Sequence, residues 1–583
     1  MLFVERKQQK QKHILTGAKI NSKRAVTGAI SEEKLYPFTQ RLRLIVLAIP
    51  VVVLAMFLAA TASGAGVIMR ASTDAAGNQG NAASQDASVS ADGRYVAFDS
   101  NASNLVYGDT NGTTDVFVKD TQTGAISRAS TNSSGGQVPG NSTHPSISAD
   151  GRYVAFTSSA CSLAAGYCYR NTTNIYIKDM KTGAVSRVSA DTSGNPGNGS
   201  SVWPAISPDG RYVAFDSTAS NLVPGDTNYT TDVFVKDTWT GAISRASTDA
   251  GGNQGNNYSQ YPSISADGRY VAFESFATNL VPGDTNNNAD IFIKDMWTGA
   301  ISLASADASG NQGNQWSYNP SISADGRYLA FESAATNLTP GDTNGNIDVF
   351  VKDMWTGMIW RASTDAAGNQ ANDWSYNPSI SADGGNVTFY SGASNLVPND
   401  TNAASDIFIK NYQSGAISRA STDSSGNQAN GGSEYPSISA NSSFVGFDSV
   451  ATNLAPGDAN GAADVFLATG SGASCPGGKP ALALSEARAY WASLTDYNAG
   501  NLSVDYEVAD SGSIPAYVVE ITSSTANNGV ASLASMPLPL GNIIAGDSHP
   551  FTVKYTVPAG VTAFRTSMAA SAEDGCSTTY NYP

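Results

Sequence analysis

The side chains that carry most enzyme chemistry are scarce in this sequence. Among 583 residues there are three histidines and four cysteines, and charged residues make up only 14%. No Gly-x-Ser-x-Gly elbow, P-loop or dinucleotide-binding motif is present. These absences exclude a hydrolase of the nucleophile-elbow type, a nucleotide-binding fold and a histidine-based metal centre. We find no catalytic constellation, and we expect the chain not to be an enzyme.

Helical periodicity is missing as well, and one stretch of sequence recurs in its place. Its best copy covers residues 204–247, and close relatives of it extend to about residue 470. The acidic residue of a Ser-x-Asp-Gly turn returns every 58 or 59 residues, with Asn at the seventh place: Asp92, Asp150, Asp209, Asp267, Asp325, Asp383 and Asn441. So regular a period indicates one structural unit used seven times.

Each repeat contains four short β-prone runs, which we name strands A to D. In the best copy they cover residues 204–207, 211–215, 232–236 and 242–247, and an Asp-Gly turn between A and B is typical of a hairpin. Four antiparallel strands used seven times predict a β-propeller. A helical stack of sheets is the competing solenoid, but its repeats are usually shorter.

The ends of the repeat region favour a closed ring. The seventh repeat lacks strand D, whereas a matching motif, GVIMRAS, stands ahead of the first repeat at residues 66–72. The N-terminal strand therefore completes the last blade and covers an edge that would otherwise be open. The sequence predicts an all-β fold, a seven-bladed β-propeller closed by an N-terminal outer strand over residues 66–470.

The repeat also resembles a known family. The segment SPDGRYVAF at residues 207–215 is similar to the WD40-like repeat of TolB-type propellers. This resemblance covers about residues 66–470 and implies the propeller fold. It implies little about function, because propellers serve as binding modules, lyases and protease gates.

Two segments of different character flank the propeller. Residues 1–65 hold a basic stretch, an apolar run at 44–60 and an Ala-Thr-Ala site, which predict a signal peptide or a membrane anchor. Residues 474–583 hold alternating runs between Gly, Pro and Asn turns, which predict a small β-sandwich. This pattern resembles the immunoglobulin-like modules of bacterial surface proteins. We expect an exported protein, either secreted or held at the cell surface.

Cysteine placement agrees with export. Cys161 and Cys168 share one loop of the second repeat, while Cys475 and Cys576 stand near the two ends of the C-terminal region. Two local disulfides in an oxidising compartment are the simple interpretation. Four buried free thiols are the alternative.

The loop between strands B and C is a candidate metal site. In six repeats it places Asp and Asn two residues apart and a second Asp at the start of strand C, an oxygen-ligand set that suits calcium in a structural role. Asx turns held together without metal are the alternative. The second repeat has Cys168, Arg170 and Asn174 at these places. The candidate ligands are Asp109, Asn111, Asp115, Asp226, Asn228, Asp232, Asp284, Asn286, Asp290, Asp342, Asn344, Asp348, Asp400, Asn402, Asp406, Asp458, Asn460 and Asp464.

Loop lengths distinguish the two faces of the ring. The B–C and D–A connections are long and emerge on one face, whereas the A–B and C–D connections are tight turns. Aromatic residues just before strand A are expected on this loop-rich face, where they stack on sugar rings or anchor a protein partner. Packing against the adjacent blade is the alternative. These aromatics are Trp203, Tyr258, Tyr261, Trp316, Tyr318, Trp374, Tyr376 and Tyr435.

Charge narrows the range of partners. The net charge is −16 and the first 43 residues are basic, so the exported part is strongly acidic and disfavours nucleic acid and anionic lipid. Membrane contact is expected only through an N-terminal anchor. The Arg of strand D and the Lys of strand C recur once per repeat, and we interpret them as solvated rim charges that pair locally.

These features lead to one functional prediction and two alternatives. We expect an exported or cell-surface, non-catalytic propeller that acts as a binding, adhesion or structural module through its loop-rich face, with a protein or glycan partner. The enzyme alternative is a secreted polysaccharide lyase or glycosidase with paired carboxylates on that face. The third possibility is a surface-layer or filament subunit that self-assembles.

Overall fold

A computed structural model of the chain describes residues 68–169 and 171–469, and in the C-terminal region residues 482–490, 501–510, 516–526, 531–532, 538–543, 548–557, 566–573 and 579–582. The predicted signal peptide or anchor and the pair Cys475 and Cys576 lie outside the described residues. Residues 63–477 form one compact unit, and the strands from residue 482 onward belong to a second. No described helix is long and apolar enough to cross a membrane.

The first unit is the predicted seven-bladed propeller. Each blade is a four-stranded antiparallel sheet in the order A-B-C-D, and the seven A strands contact one another around a central channel. Blade 1 contains β2 (Ser84–Val89), β3 (Tyr95–Ser100), β4 (Asp115–Asp120) and β5 (Ile126–Arg128), and blade 2 contains β6 (Ser142–Ile147), β7 (Tyr153–Ser158), β8 (Asn174–Asp179) and β9 (Val185–Arg187). Blade 3 contains β10 (Ser201–Ile206), β11 (Tyr212–Ser217), β12 (Asp232–Asp237) and β13 (Ile243–Arg245), and blade 4 contains β14 (Ser259–Ile264), β15 (Tyr270–Ser275), β16 (Asp290–Asp295) and β17 (Ile301–Leu303).

The remaining blades follow the same order. Blade 5 contains β18 (Ser317–Ile322), β19 (Tyr328–Ser333), β20 (Asp348–Asp353) and β21 (Ile359–Arg361), and blade 6 contains β22 (Ser375–Ile380), β23 (Val387–Ser391), β24 (Asp406–Lys410) and β25 (Ile417–Arg419). Blade 7 contains β26 (Ser433–Ile438), β27 (Phe444–Ser449) and β28 (Asp464–Thr469), with β1 (Ile68–Arg70) as its fourth strand. Within the described part of the chain there is one 3-10 turn, Cys161–Leu163, which lies in the loop between β7 and β8 of blade 2.

Closure by the N-terminal strand is confirmed. Strand β1 pairs antiparallel with β28, with Met69 opposite Leu467 at the centre of the register. The Ser72 hydroxyl donates a 2.7 Å hydrogen bond to Asp464, a residue 392 positions further along the chain. The edge of blade 7 is therefore covered by the other end of the repeat region, which removes an open strand from the ring.

The core lies between and within the blades because strands B and C are apolar on both faces. In blade 1, Phe98 of β3 and Phe117 of β4 are fully buried, with ring centroids 5.9 Å apart. The same aromatic pair recurs in every blade, with a Tyr at one place in blade 2. Strand D has three residues and is half exposed, as its alternating sequence predicts.

The inner strand begins earlier than the sequence predicts. Strand A of the best copy was expected at residues 204–207, but β10 covers Ser201–Ile206. Its pairing with β11 shifts register between Val202 and Ala205, and Trp203 takes a left-handed φ of 53°. A bulge of this kind re-aims a side chain. It occurs in all seven inner strands, at residues that are not glycine.

The interpretation of the repeated Lys of strand C as a solvated rim charge was wrong. The Lys119 side chain is buried, and its Nζ donates to the carbonyls of Thr73, Asp74 and Gly124 at 3.2, 2.9 and 2.8 Å. Three carbonyls match the three donors of an ammonium group, which offsets part of the cost of burial. Two of these carbonyls belong to the segment that precedes blade 1, so each Lys binds its blade to the chain before it.

The second unit contains two antiparallel four-stranded sheets. One has the order β29-β30-β34-β32 and the other β33-β31-β35-β36. The strands are β29 (Leu482–Tyr490), β30 (Asn501–Asp510), β31 (Ala516–Ala526), β32 (Ala531–Ser532), β33 (Leu538–Ile543), β34 (Ser548–Thr556), β35 (Thr566–Glu573) and β36 (Thr579–Tyr582). Val504, Val508 and Val553 are buried. The immunoglobulin-like assignment stays a prediction.

The closure contact can be tested against an equivalent contact inside one blade. Asp464→Ala removes the acceptor of Ser72 and a partner of Arg70, whereas Asp232→Ala removes the acceptor of Ser247 within blade 3. Each change leaves buried donors unpaired, at a cost of roughly 1–3 kcal/mol. We expect Asp464→Ala alone to accelerate hydrogen exchange across residues 68–72 and to lower the melting temperature further. Equal melting temperatures and unchanged exchange at the N-terminal strand would contradict this account of closure.

Candidate functional site in the central channel

The third residue of each inner strand faces its counterparts around the channel. All seven have a left-handed φ between 47° and 56°. While the turns and outer strands of the repeats are nearly identical, these seven positions hold five different residue types. We call this set the channel ring, and its members are Asp86, His144, Trp203, Tyr261, Asn319, Asn377 and Tyr435.

The side chains of the channel ring touch one another. His144 Nε2 lies 3.6 Å from the Asp86 carboxylate, and the imidazole ring contacts Trp203 in a tilted arrangement with ring centroids 3.8 Å apart. Trp203 in turn contacts Tyr261 at 4.9 Å. On the other side, the Asn319 amide donates to Asn377 at 2.8 Å. The ring therefore has an acidic, an aromatic and an amide segment.

Behind this ring lies a set of buried acids, at the fifth position of strand B. We call them the wall carboxylates; Thr157 and Tyr390 stand in their place in blades 2 and 6. The five acids are Asp99, Asp216, Glu274, Glu332 and Asp448.

Backbone amides of the channel ring hold several wall carboxylates. Each such carboxylate accepts the N–H of the left-handed residue in the next blade. The bonds measure 3.1 Å from His144 to Asp99, 3.3 Å from Asn319 to Glu274 and 2.6 Å from Asn377 to Glu332. The inner-strand bulge thus explains the arrangement, because it turns one N–H of each blade toward the acid of its neighbour.

The charge of the wall carboxylates has no local counterpart. Among the residues that the structure describes, no Lys or Arg forms an ion pair with any of the five. Burial raises the pKa of Asp448 to about 8, and the negative charge of Asp86 makes the next largest contribution to this rise. Burial likewise raises the pKa of Glu274 and of Glu332 to about 7. Buried Oδ1 atoms of Asp216 and Asp448 lack a hydrogen-bond partner.

Blades 1, 2 and 7 meet at the most acidic part of the channel. Burial and the neighbouring Asp86 raise the pKa of Asp99 well above its ordinary value, and burial also raises the pKa of Asp86. Burial lowers the pKa of His144, which favours the neutral imidazole. The acids of this group therefore keep their protons to higher pH than free carboxyl groups do, whereas the imidazole gains its proton only at lower pH than a free histidine.

The aromatic residues that were predicted on the loop-rich face lie in or directly before the inner strands around this channel. Five of the eight lie within inner strands and three stand directly before them, so they line the wall as well as the mouth. Trp316 stacks on Tyr318 at 4.7 Å, and Trp374 contacts Tyr376 at 5.0 Å. Ser84, two residues before Asp86 of the channel ring, pairs with Ser100, which is the last residue before a B–C loop. The channel ring therefore lies near the loop-rich face. The predicted role in ligand binding stays a prediction.

The candidate metal ligands are engaged with an arginine in five blades. Arg128 of strand D contacts Asp109 at 3.1 Å and Asp115 at 3.5 Å. The Gln137 amide donates to the same Asp109 at 2.8 Å. Arg70, Arg245, Arg361 and Arg419 make the equivalent ion pairs. These arginine side chains are buried, so their interpretation as solvated rim charges was also wrong; the guanidinium matches two carboxylates that no other cation neutralises.

This network bears on the calcium prediction. In the five blades with arginine, the guanidinium group already contacts the two carboxylates that a calcium ion would need as ligands. Blade 4 differs because Leu303 replaces the arginine, and Gln312 donates to both Asp284 and Asp290 at 2.7 Å. Within the described ranges, no group of three or more His, Cys, Asp or Glu residues is arranged to hold a metal. Calcium stays a prediction.

The disulfide of the second repeat is present. Cys161 and Cys168 are joined across a separation of seven residues. A local disulfide is typical of proteins that fold in an oxidising compartment, so this part of the chain agrees with export.

The channel site was missed at the sequence level although a signal for it exists. The sequence argument examined residues that recur in every repeat, whereas the channel ring and the wall carboxylates are where repeats of one period disagree. Position 203 is Trp where position 261 is Tyr and position 319 is Asn. Variation inside an otherwise constant repeat marks positions that the fold itself does not require.

Comparison with solved structures places the chain among propellers of several activities. No family model matches the chain, and no curated protein matches it. TolB from Acinetobacter baumannii is 16% identical over 52% of this chain and 60% of its own, with a TM-score of 0.30. A manganese-bound oligogalacturonate lyase is 14% identical over 70% and 98%, with a TM-score of 0.42. An acylaminoacyl peptidase from Pyrococcus horikoshii is 11% identical over 73% and 57%, with a TM-score of 0.39.

These comparisons confirm the TolB-like resemblance for the fold and correct the functional prediction. The expectation of a non-catalytic binding, adhesion or structural module acting through the loop-rich face was wrong, because the similar propellers include a lyase and a peptidase beside TolB. The lyase or glycosidase alternative is not tested by these comparisons and stays a prediction.

The raised pKa of Asp448 predicts an unusual pH dependence of stability. A carboxyl group whose pKa rises on folding contributes stability below its ordinary pKa near 4, and this contribution is lost as the pH rises toward 8. Asp448→Asn keeps an acceptor but carries no charge. We expect its melting temperature to exceed that of the wild type at pH 8.5 and to match it at pH 4.

Asp179→Asn is the matched control. The Arg152 guanidinium lowers the pKa of Asp179 to about 2, so this carboxylate contributes stability above pH 4. Blade 6 has Asn411 at the equivalent place, so the fold accepts the change. Asp179→Asn should lower the melting temperature at neutral pH, opposite to Asp448→Asn. If both variants shift in the same direction at pH 8.5, the assignment of Asp448 as an uncompensated acid is wrong.

Proposed function

We propose that the central channel binds an organic cation, a ligand that carries amino or guanidinium groups along an extended chain. One observation carries this proposal: five buried wall carboxylates stand directly behind the channel ring, and no described Lys or Arg forms an ion pair with them. Buried charges in folded proteins are normally paired, because an unpaired charge in a low-dielectric site is costly. A ligand of positive charge supplies the missing partner.

Protonation keeps the empty channel stable. With pKa values of about 7 for Glu274 and Glu332 and about 8 for Asp448, these groups hold protons near neutral pH. An incoming cation favours the ionised forms, since an opposite charge within a few ångströms lowers a carboxyl pKa. Binding is therefore coupled to proton release and strengthens as the pH rises.

The distribution of the acids favours a ligand with more than one positive charge. Asp86, Asp99 and Asp448 belong to blades 1 and 7, while Glu274 and Glu332 belong to blades 4 and 5. Between the two groups lie the aromatic side chains of His144, Trp203 and Tyr390, and also the fifth wall carboxylate, Asp216 of blade 3. Each group supplies at least two acids for one ammonium or guanidinium head.

The aromatic segment favours an organic cation over a metal ion. Trp203, Tyr261 and Tyr435 of the channel ring present rings beside the acids, and Trp and Tyr faces attract ammonium and guanidinium groups. A hard metal ion instead requires several oxygen ligands converging on one point. A polyamine and a segment of basic peptide share the favoured chemistry.

The disulfide and the sequence support a location outside the cytoplasm for the proposed binding of a cation. We propose that the propeller works outside the cytoplasm, secreted or held at the cell surface, where the loop-rich mouth of the channel meets external ligands.

Calorimetric titration with spermidine, and separately with tetralysine, tests the proposal at pH 6 and pH 8. We expect saturable binding that is tighter at pH 8, by up to about tenfold per pH unit for each proton displaced. Glu274→Gln combined with Glu332→Gln should weaken binding at least tenfold, because two counter-charges are lost. The double variant should melt at or above the wild-type temperature, since it removes buried charge.

Asp150→Asn is the control for a non-specific effect of net charge. Asp150 is an exposed turn residue, and the seventh repeat has Asn441 at its place. This variant should bind both probes like the wild type. The proposal fails if neither probe binds at either pH, or if the double Gln variant binds as tightly as Asp150→Asn.

A further inference from the structure

We propose that blade 2 contains an anion site centred on Arg187, separate from the channel. In the five blades that pair arginine with aspartate, two carboxylates meet the guanidinium of strand D. Blade 2 keeps the arginine but has lost its partners: Cys168 and Asn174 stand where blade 1 has Asp109 and Asp115. Pro196 also replaces the glutamine that bonds these acids elsewhere.

The guanidinium of Arg187 is left with unused donors. Nη1 donates to the Tyr167 carbonyl at 2.8 Å, whereas Nε and Nη2 are buried and have no hydrogen-bond partner. The equivalent atoms of Arg128 lie within 3.5 Å of carboxylate oxygens. Among the described residues, no carboxylate forms an ion pair with Arg187. A buried cation without a partner is costly, so the site is incomplete as the chain builds it.

A second polar group without a partner lies on the neighbouring strand. Arg187 is opposite Tyr176 in the register, and its guanidinium carbon lies 5.7 Å from the centre of the Tyr176 ring. The Tyr176 hydroxyl is buried and unbonded. At this place the six other blades have a residue without a hydroxyl: Phe117, Phe234, Phe292, Phe350, Phe408 and Phe466.

The identity of the ligand follows from what the other blades place there. Two carboxylates and one guanidinium give those loops a negative balance, whereas Arg187 gives blade 2 a positive one. Fork-shaped guanidinium donors match a carboxylate or a small oxoanion. Asn174 adds an amide group: its Oδ1 accepts from the Ser189 hydroxyl at 3.2 Å, and its Nδ2 makes a long contact of 3.8 Å with Cys168 Sγ. Tyr167 is exposed and Cys168 is partly exposed, so a ligand reaches the site from solvent. We infer a site for one carboxylate or inorganic oxoanion.

Two variants restore or remove the charge balance without foreign residues. Asn174→Asp supplies the carboxylate that the other six blades have at this place, and Arg187→Leu copies Leu303 of blade 4. Melting temperatures are measured with sodium acetate, sodium phosphate or sodium chloride at one fixed ionic strength. The acetate and phosphate arms distinguish a carboxylate from an inorganic source.

For the wild type we expect a saturable rise of roughly 2–4 °C with acetate or phosphate over chloride. Asn174→Asp should melt higher than the wild type without added anion and show no further rise. Arg187→Leu should fold and show no rise. The proposal is overturned if the wild type does not respond, or if both variants respond as the wild type does. Because none of these changes touches the channel, spermidine binding should be unaffected, so this result and the channel result are independent.

Discussion

The pairing of β1 with β28 is the contact on which the channel depends. It joins the two ends of the repeat region and thereby brings blade 7 beside blade 1. At that junction the charge of Asp86 in blade 1 helps to raise the pKa of Asp448 in blade 7. The most acidic part of the channel therefore lies at the closure, and the site and the stability of the ring share one contact region.

The residues that hold the blades together are different from the residues that form the proposed channel site. Each buried Lys of strand C binds carbonyls of the preceding segment, and each aromatic pair fills the interior of its blade. These contacts are supplied by residues that hardly change from repeat to repeat. Because the constant residues already hold the ring together, the channel positions are free to differ, and seven copies of one blade can surround an asymmetric site.

The sequence predicts the fold well because the fold depends on repeated, local features. A 58-residue period, Asp-Gly turns and one displaced outer strand were enough for the blade count and the closure. The bulge of the inner strand was missed, since its left-handed residue is His144 or Trp203 rather than glycine. The burial of Arg128 was missed because its partner Asp109 lies 19 residues away across a loop, and local periodicity carries no information on such a pair.

Both unusual sites follow from one rule about buried charge. In five blades the chain pairs a buried guanidinium with its own carboxylates, and the result is a structural network. In the channel, carboxylates are buried without a cation, and in blade 2 a cation is buried without a carboxylate. The five loops with arginine show that this repeat can pair a buried charge within the chain. In the channel and at Arg187, where it does not, we propose that the missing partner is a ligand of the opposite sign, so these departures from the repeat define both the place and the chemistry of recognition.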